Sequence, residues 1–238
     1  MSSRAMGDEN LYRDYTAWKG WRGDFAANAR EARYFAAEFA ELPVAGKRIL
    51  EIGFGNGTFL GWARAQGAQV AGTEVEPSML LAAQQKGFEV HPADLRALAA
   101  TGERFDLVVA FDVLEHWEKQ TLIANVEAIR ELLTPGGILV ARVPNGHSPF
   151  GRVHQYGDLT HQTVLSAPSI RQLAQITGFE VAQIRNAASI PARRDAWSAL
   201  KHAWRRFRRA RIEITFGSLY GVGRLPLDPN LVAVLRRA

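Results

Sequence analysis

The chain has 238 residues, of which 47% are hydrophobic and 22% are charged. This length and composition fit one α/β domain with a sizeable core and exclude a disordered chain. The sequence contains no cysteine, which excludes disulfides, thiolate zinc sites, iron–sulfur clusters and cysteine nucleophiles.

The formal net charge of +5 is unevenly distributed along the chain. Residues 193–238 hold 11 basic and 3 acidic residues, whereas residues 1–192 hold 18 basic and 21 acidic residues. The basic character therefore belongs to a C-terminal segment, and the main body is mildly acidic.

The N-terminal residues carry acids and aromatics but no apolar core of a signal peptide. Apolar stretches stay far below the ~20 residues that a membrane-spanning helix needs. We therefore expect a cytoplasmic protein, which could also lie on the inner face of the membrane.

Hydrophobic periodicity predicts an α/β fold. Apolar residues at helical spacing indicate a helix within residues 11–42, which Pro43 and Gly46 end. The predicted strands are 47–53, 69–75, 87–91, 104–113, 137–143, 179–185 and 230–235, and the predicted helices between them are 58–66, 77–86, 95–100, 119–133 and 169–177. Apolar strands that alternate with helices predict a doubly wound, mostly parallel sheet covered on both faces.

A glycine-rich turn follows the first predicted strand and reads Gly53-Phe54-Gly55-Asn56-Gly57. Glycines let a ligand lie against bare main chain beside the N–H groups that open the next helix. Glu74 ends the second strand, where a carboxylate can bind the two hydroxyls of a ribose. A dinucleotide site usually has G-x-G-x-x-G, whereas this spacing is G-x-G-x-G with an acid, Glu51, two residues before the first glycine.

This turn resembles motif I of the class I S-adenosylmethionine (SAM)-dependent methyltransferases. Three further segments continue the resemblance in order: Asp94-Leu95 after strand three, Asp112-Val113-Leu114-Glu115-His116 after strand four, and Thr134-Pro135-Gly136-Gly137 before strand five. The resemblance implies a Rossmann-like, seven-stranded methyltransferase fold with an antiparallel last strand. It also implies a SAM site formed by Glu51, Gly53, Phe54, Gly55, Gly57, Glu74, Val75, Asp94, Leu95 and Asp112. Taken alone, Asp94 could equally be a helix N-cap.

The resemblance divides the chain into four parts. They are an N-terminal helical cap (1–46), a SAM-binding core (47–192), a basic amphipathic insertion (193–229) and the last strand of the core (230–238). The aromatic residues of the entry segment could close over the cofactor cleft or simply pack as a cap; they are Tyr12, Tyr15, Trp18 and Trp21.

Four of the six histidines follow strands four and five, at the edge where α/β sheets bind ligands. A hydroxyl acceptor profits from a general base, most often histidine. We expect His161, paired with Asp158, to be that base, with His116 as the alternative. His147, His154 and His161 are spaced seven apart, but irregular loop residues have no fixed geometry, so we assign no metal site.

The long loop after strand five is rich in Gly, Pro and His, which is typical of a lid or a ligand-binding loop. We expect Arg142, Asn145, His147 and Tyr156 to bind the acceptor. Its P-N-x-x-S-P (144–149) and Y-G-D-x-T-H (156–161) strings resemble those of bacterial methyltransferases linked to cell-surface polysaccharide and lipopolysaccharide assembly. That resemblance, and the polar lid, favour a sugar hydroxyl on a glycan or lipid-linked glycan precursor. A small aromatic or quinone precursor and a non-catalytic SAM-binding protein are the alternatives.

Residues 193–211 form a basic amphipathic segment with Trp197, Leu200, Trp204 and Phe207 on one side of a helical wheel. Its apolar side could dock on the domain's own sheet, on a second subunit in a homodimer, or on an anionic membrane surface. Nucleic acid is a weaker candidate because no recognised nucleic-acid module accompanies the helix.

Overall fold

A computed structural model describes residue 12 and residues 14–192, 195–221 and 225–238. These residues form one sheet of seven strands. In chain order the strands are β1 (Arg48–Ile52), β2 (Gln69–Thr73), β3 (Glu89–His91), β4 (Phe105–Phe111), β5 (Leu133–Pro144), β6 (Phe179–Asn186) and β7 (Asn230–Arg237). Each lies where the sequence predicted a strand, with bounds that differ by a few residues.

The strand order is β3-β2-β1-β4-β5-β7-β6. Strands β1 to β5 pair in parallel, and β7 lies antiparallel between β5 and β6. This arrangement confirms the predicted Rossmann-like fold with an antiparallel last strand. The order reverses between β1 and β4, and open α/β sheets bind ligands at the carboxyl ends of the strands at such a point.

Helices cover both faces of the sheet. They are α1 (Tyr15–Lys19), α2 (Ala29–Glu38), α3 (Thr58–Ala65), α4 (Pro77–Gln85), α5 (Leu95–Ala100), α6 (Lys119–Leu132), α7 (Arg152–Gln155), α8 (Ala167–Thr177) and α9 (Ala196–Tyr220). A 3₁₀ turn spans Leu114–His116. The helix expected within 11–42 is two helices, because Gly23 and Phe25 adopt left-handed φ angles of 61° and 55° between them.

The structure differs from the sequence expectation at three other places. Strand β5 begins at Leu133 because that residue pairs with Phe105 before the ladder shifts its register at the glycines. The loop after β5 contains the short helix α7. Helix α9 extends nine residues beyond the predicted basic segment, and residues 193 and 194 of that segment lie outside the described residues.

The segment between α1 and α2 packs against the start of α3. The Phe25 ring lies 4.7 Å from the Phe88 ring and 5.6 Å from the Phe54 ring, centroid to centroid. A Cβ on Gly61 in α3 would stand only 1.7 Å from the carbonyl oxygen of Phe25. Glycine at position 61 is therefore what allows the N-terminal segment to lie on this helix.

We expect Gly61→Ala to lower the free energy of unfolding by about 2–3 kcal/mol, because the added methyl must displace backbone. Gly87→Ala is the control: its Cβ meets nothing, and only its φ of +68° is unfavourable, at about 1 kcal/mol. Urea unfolding measures both values, and limited proteolysis at residues 14–28 reports release of the segment. Equal losses for the two variants would contradict this packing.

Candidate active site

The glycine-rich turn after β1 requires glycine for its backbone conformation. Gly53, Gly55 and Gly57 have φ angles of 62°, 51° and 70°, in the left-handed region. A Cβ on Gly53 would also lie 2.9 Å from a methyl carbon of Val113. The turn therefore presents bare main chain at the carboxyl end of β1, as the sequence predicted for a ligand cradle.

Glu74, which follows β2, hydrogen bonds directly to this turn. Its Oε2 accepts from the Gly55 N–H at 2.7 Å, and its Oε1 accepts from the N–H groups of Val75 at 2.7 Å and Glu76 at 3.1 Å. The residue is 5% exposed. The carboxylate thus faces the glycine turn, where a ribose-binding acid is expected.

Glu51, at the end of β1, is a buried acid with an unsatisfied oxygen. Among the described residues its Oε2 has no hydrogen-bond partner, and burial raises the pKa of its carboxyl well above the ordinary value. A buried carboxylate without a partner is costly unless a cation meets it. The amino group of a methionine-type cofactor is such a cation, so Glu51, the glycine turn and Glu74 fit SAM.

The other predicted cofactor residues take different positions. Asp94 is an exposed N-cap of α5, whose Oδ1 accepts from the N–H groups of Arg96 and Ala97, both at 3.1 Å. Leu95 and the Phe54 ring are buried in the core, so only their main chain is available to a ligand. Val75 is exposed beside Glu74.

The entry segment lies over the glycine turn. A Cβ on Gly55 would be 2.7 Å from the Trp21 ring, and Asn56 Oδ1 accepts from the N–H groups of Arg22 at 2.8 Å and Gly23 at 2.9 Å. The aromatic segment is therefore a cover on this side of the site.

Asp112, directly after β4, is held in a strained conformation by Arg142. Its φ is 57°, and its two carboxylate oxygens accept from Arg142 Nε at 3.0 Å and Nη2 at 2.5 Å. Arg142 also donates to the hydroxyl of Tyr34 at 3.1 Å. Burial lowers the pKa of Arg142, but the Asp112 carboxylate outweighs this and raises it. Arg142, expected to bind the acceptor, instead positions Asp112.

His161 and Asp158 lie close together without a hydrogen bond. His161 Nε2 is 3.9 Å from Asp158 Oδ2, and His161 Nδ1 donates to the Gln155 carbonyl at 3.1 Å. The predicted carboxylate–imidazole pair is therefore a 3.9 Å contact through Nε2 and not a hydrogen bond, because Nδ1–H donates to the backbone carbonyl. This bond leaves the lone pair on Nε2.

Asp158 is engaged by four other groups, one of which is the Thr160 N–H at 3.0 Å. It accepts from the Thr160 hydroxyl at 2.5 Å, the Tyr15 hydroxyl at 2.9 Å and Lys19 Nζ at 3.0 Å. Burial alone would raise the pKa of Asp158, but these donors, led by Thr160, hold it below its usual range. Asp158 therefore remains a carboxylate that connects the entry segment to the histidines.

His116 packs edge-on against His161, with ring centroids 4.7 Å apart. Its Nδ1 lies 2.9 Å from Thr160 Oγ1. Because that hydroxyl gives its hydrogen to Asp158, His116 Nδ1–H is the donor. Burial and the neighbouring His161 lower the pKa of His116 to about 4, so its ring is neutral at neutral pH.

Glu115 lies next to His116 and His161. It is fully buried, and neither carboxylate oxygen has a hydrogen-bond partner in the described part of the chain. Burial raises the pKa of its carboxyl well above the ordinary value. One donor atom each from Glu115, His116 and His161 lies within 4.8 Å of the others, and this set could hold a divalent metal ion. This set differs from the three evenly spaced histidines that the sequence analysis considered, which are His147, His154 and His161.

A cleft of about 170 Å³ opens beside this cluster. Its lining residues are Trp18, Lys19, Asp112, Glu115, Pro144, Val153, His154, Gly157, Asp158, His161 and Asn230. The remaining residues expected to bind acceptor lie elsewhere. Asn145 is buried and donates to the carbonyls of Pro226 at 2.9 Å and Asp228 at 3.1 Å, His147 is exposed, and Tyr156 is exposed next to the cleft residue Gly157.

Sequence reasoning missed several groups that the fold brings to the cleft. Glu115 and Thr160 stand inside the two quoted motifs, but their burial gave no signal in the sequence. Tyr15 and Lys19 come from the entry segment, which is separated from Asp158 by more than 130 residues. Their positions in the motifs could have suggested Glu115 and Thr160 as site residues. Only tertiary contacts bring Tyr15 and Lys19 to Asp158.

A family model described as a methyltransferase domain matches residues 24–184. The chain therefore belongs to this methyltransferase family, which agrees with the class I SAM-dependent methyltransferase that its motifs predicted. A SAM-dependent methyltransferase from Archaeoglobus fulgidus superposes with a TM-score of 0.62 at 17% identity, covering 88% of this chain and 95% of that one. One from Mesorhizobium loti gives 0.60 at 19% identity, covering 87% and 98%. At these identities the likeness shows the shared fold.

Among curated proteins, the chain is similar to a ubiquinone biosynthesis O-methyltransferase of Cereibacter sphaeroides. The two are 38% identical over 121 residues, which cover 46% of this chain and 48% of the relative. The corresponding protein of Ruegeria pomeroyi is 33% identical over 124 residues, covering 48% and 49%. The chain thus spans about half the length of the curated relatives it matches.

We expect Glu51→Gln to stabilise the free protein while weakening cofactor binding. Because the folded pKa of Glu51 is raised, the wild type loses stability as pH rises above about 4.5, where the unfolded carboxyl ionises. The variant does not titrate, so its advantage should grow from pH 5 to pH 8 and reach about 2–4 °C in Tm.

Thermal unfolding across that pH range measures the first effect, and calorimetric titration with S-adenosylhomocysteine measures the second. Glu31→Gln, at a half-buried capping position, is the control for loss of one charge. A Glu51→Gln protein that is less stable than wild type at pH 8 and binds equally well would contradict the assignment.

Proposed function

We propose that this protein methylates a hydroxyl group on a small aromatic or quinone-type acceptor. The observation that carries the proposal is the orientation of side chains in the segment 145–165, at the cleft. Six of its polar residues are buried, namely Asn145, Ser148, Gln155, Asp158, Thr160 and Thr163, whereas His147, Arg152, His154 and Gln162 are exposed. Five of its apolar residues are exposed, namely Phe150, Val153, Tyr156, Leu159 and Val164, whereas Leu165 is buried.

This orientation reverses the sequence argument for a hydrophilic acceptor. The segment is polar in composition, but several of its buried polar groups are used in internal hydrogen bonds, such as Ser148 Oγ donating to the Leu227 carbonyl at 2.6 Å; Gln155 Oε1 has no partner among the described residues. An arriving acceptor therefore meets Val153 at the cleft and Leu159 nearby, which are 76% and 86% exposed. Apolar side chains at a cleft favour a ligand with apolar surface.

The matched relatives support the same acceptor class, because they are named for ubiquinone biosynthesis. The motif resemblance to polysaccharide-associated methyltransferases supports the other class, a sugar hydroxyl on a glycan or lipid-linked glycan precursor. We place the aromatic acceptor first because both the relatives and the exposed apolar residues of the segment 145–165, among them Val153 at the cleft, favour it.

SAM, when bound, supplies the methyl group. Glu51 would hold its amino group, the glycine turn would lie under its middle, and Glu74 would bind its ribose. Asp94 would bind the adenine amino group while it also caps α5. The entry segment, with Trp21 against Gly55, would exclude water from this side of the site.

His161 is the group best placed to take the proton of the acceptor hydroxyl. It lines the cleft, and its Nδ1–H bond to Gln155 leaves Nε2 free as the proton acceptor. The lowered pKa of His116 makes that ring a poor base. Asp158, 3.9 Å from His161 Nε2, would stabilise the positive charge that His161 gains.

We expect His161→Asn to reduce kcat by about 10²–10⁴-fold, because general-base catalysis contributes a factor of this size. Affinity for S-adenosylhomocysteine should stay within about twofold of the wild type. His91→Asn, in β3 beside Glu89, is the matched control and should keep its activity. An unchanged kcat for His161→Asn would remove the proposed base, and a wild type that binds cofactor but methylates neither acceptor class would favour the non-catalytic alternative.

We expect kcat/KM to be higher for an alkyl-substituted catechol than for unsubstituted catechol, and lowest for an alkyl glucoside. Val153→Asp should raise KM for the alkyl catechol about tenfold, because it removes apolar contact at the cleft. Ile176→Asp, an exposed apolar position on α8, is the control. A preference for the glucoside would instead support the glycan acceptor.

A further inference from the structure

Helix α9 attaches to the domain through polar side chains. Arg209 pairs with Asp228, and Glu213, which is buried, accepts from Asn186 Nδ2 at 2.6 Å and from the Leu227 N–H at 3.2 Å. Arg209 and Glu213 are four residues apart and therefore share one face of the helix. The face that α9 turns to the protein thus carries an ion-paired arginine and a buried glutamate.

The opposite face of α9 is apolar and exposed. Trp197, Leu200, Trp204 and Phe207 recur at intervals of three and four, and each is more than half exposed. The sequence left open that this face docks on the domain's own sheet. The structure excludes that docking within the described residues, because the internal ion pair orients the helix the other way.

Cations border this apolar face. Lys201, Arg205, Arg208 and Arg211 are exposed, and the Lys201 and Arg211 cations lie 4.8 and 5.9 Å from the ring centroids of Trp197 and Phe207. From 196 to 219 the sole acid is Glu213, which is buried. The outward surface of α9 therefore combines exposed indole, phenyl and aliphatic groups with positive charge alone.

We propose that α9 binds the surface of an anionic membrane through this face. Apolar rings enter the boundary of the acyl chains, and the flanking cations contact anionic headgroups. A second copy of the chain would bring two surfaces of the same positive charge together, which disfavours a dimer through this face. Nucleic-acid phosphates would satisfy the cations but leave the aliphatic Leu200, Ile212 and Ile214 exposed to water.

The attachment of α9 also places the membrane near the cleft. Its contacts run to Asn186 at the end of β6 and to the segment 226–228, which Asn145 holds at the end of β5. No described helix is long and apolar enough to cross a bilayer. This inference rests on α9 alone and holds whichever acceptor is methylated.

Vesicle flotation of the full chain tests the proposal. The vesicles are phosphatidylcholine alone or with 40% phosphatidylglycerol, at low and high salt. We expect binding to the mixed vesicles, at least about tenfold weaker binding to neutral ones, and loss of affinity at high salt. Trp204→Glu/Phe207→Glu should reduce the affinity about tenfold or more, as should Arg208→Glu/Arg211→Glu.

Two matched controls place double changes of the same charge at exposed positions elsewhere: Leu81→Glu/Ile176→Glu for the apolar residues and Arg30→Glu/Arg171→Glu for the cations. Circular dichroism and S-adenosylhomocysteine binding confirm that all variants are folded, so a failure of the proposed function would not affect this test. The proposal is overturned if wild type does not float with the mixed vesicles or if the α9 variants match their controls. It is also overturned if these variants abolish dimerisation in light scattering, or RNA binding in a gel shift, without affecting flotation.

Discussion

The site depends on the hydrogen bonds that the Glu74 carboxylate accepts from the main chain around it. One oxygen holds the Gly55 N–H, and the other holds the N–H groups that follow β2. These bonds join the ends of two neighbouring strands and fix the glycine turn in its left-handed conformation. Because the turn is fixed, Trp21 and Phe25 can pack on it, and the entry segment then brings Tyr15 and Lys19 to Asp158.

The acidic residues of the site differ in how many hydrogen bonds their carboxylate oxygens accept. Glu74 and Asp158 accept several hydrogen bonds each, whereas Glu51 and Glu115 are buried with oxygens that accept no hydrogen bond from a described group. A satisfied carboxylate holds structure together, and an unsatisfied one costs stability in the free protein. The two unsatisfied acids stand at the cofactor end and beneath the histidines, where a bound group would meet them.

The segment 145–165 and helix α9 share one physical feature. In both, some polar side chains turn inward to ion pairs and hydrogen bonds, and several large apolar side chains are exposed. Burial of apolar surface normally drives the opposite arrangement. Two such surfaces at the carboxyl edge of one sheet suit a protein that meets apolar ligands there.

The sequence by itself determined the sheet, the glycine turn and the acid at the end of β2, because strand periodicity and glycine spacing are local properties. It also located the motifs that contain His116, Asp158 and His161. Only the tertiary structure decided which groups those residues contact: the Gln155 carbonyl, not Asp158, accepts the hydrogen bond from His161 Nδ1, and Arg142 donates to Asp112. Tertiary contacts also decided in which direction α9 and the segment 145–165 turn their apolar side chains. A helical wheel defines two faces of a helix, but ion pairs to other segments of the chain, such as Arg209–Asp228, determine which face is exposed to solvent.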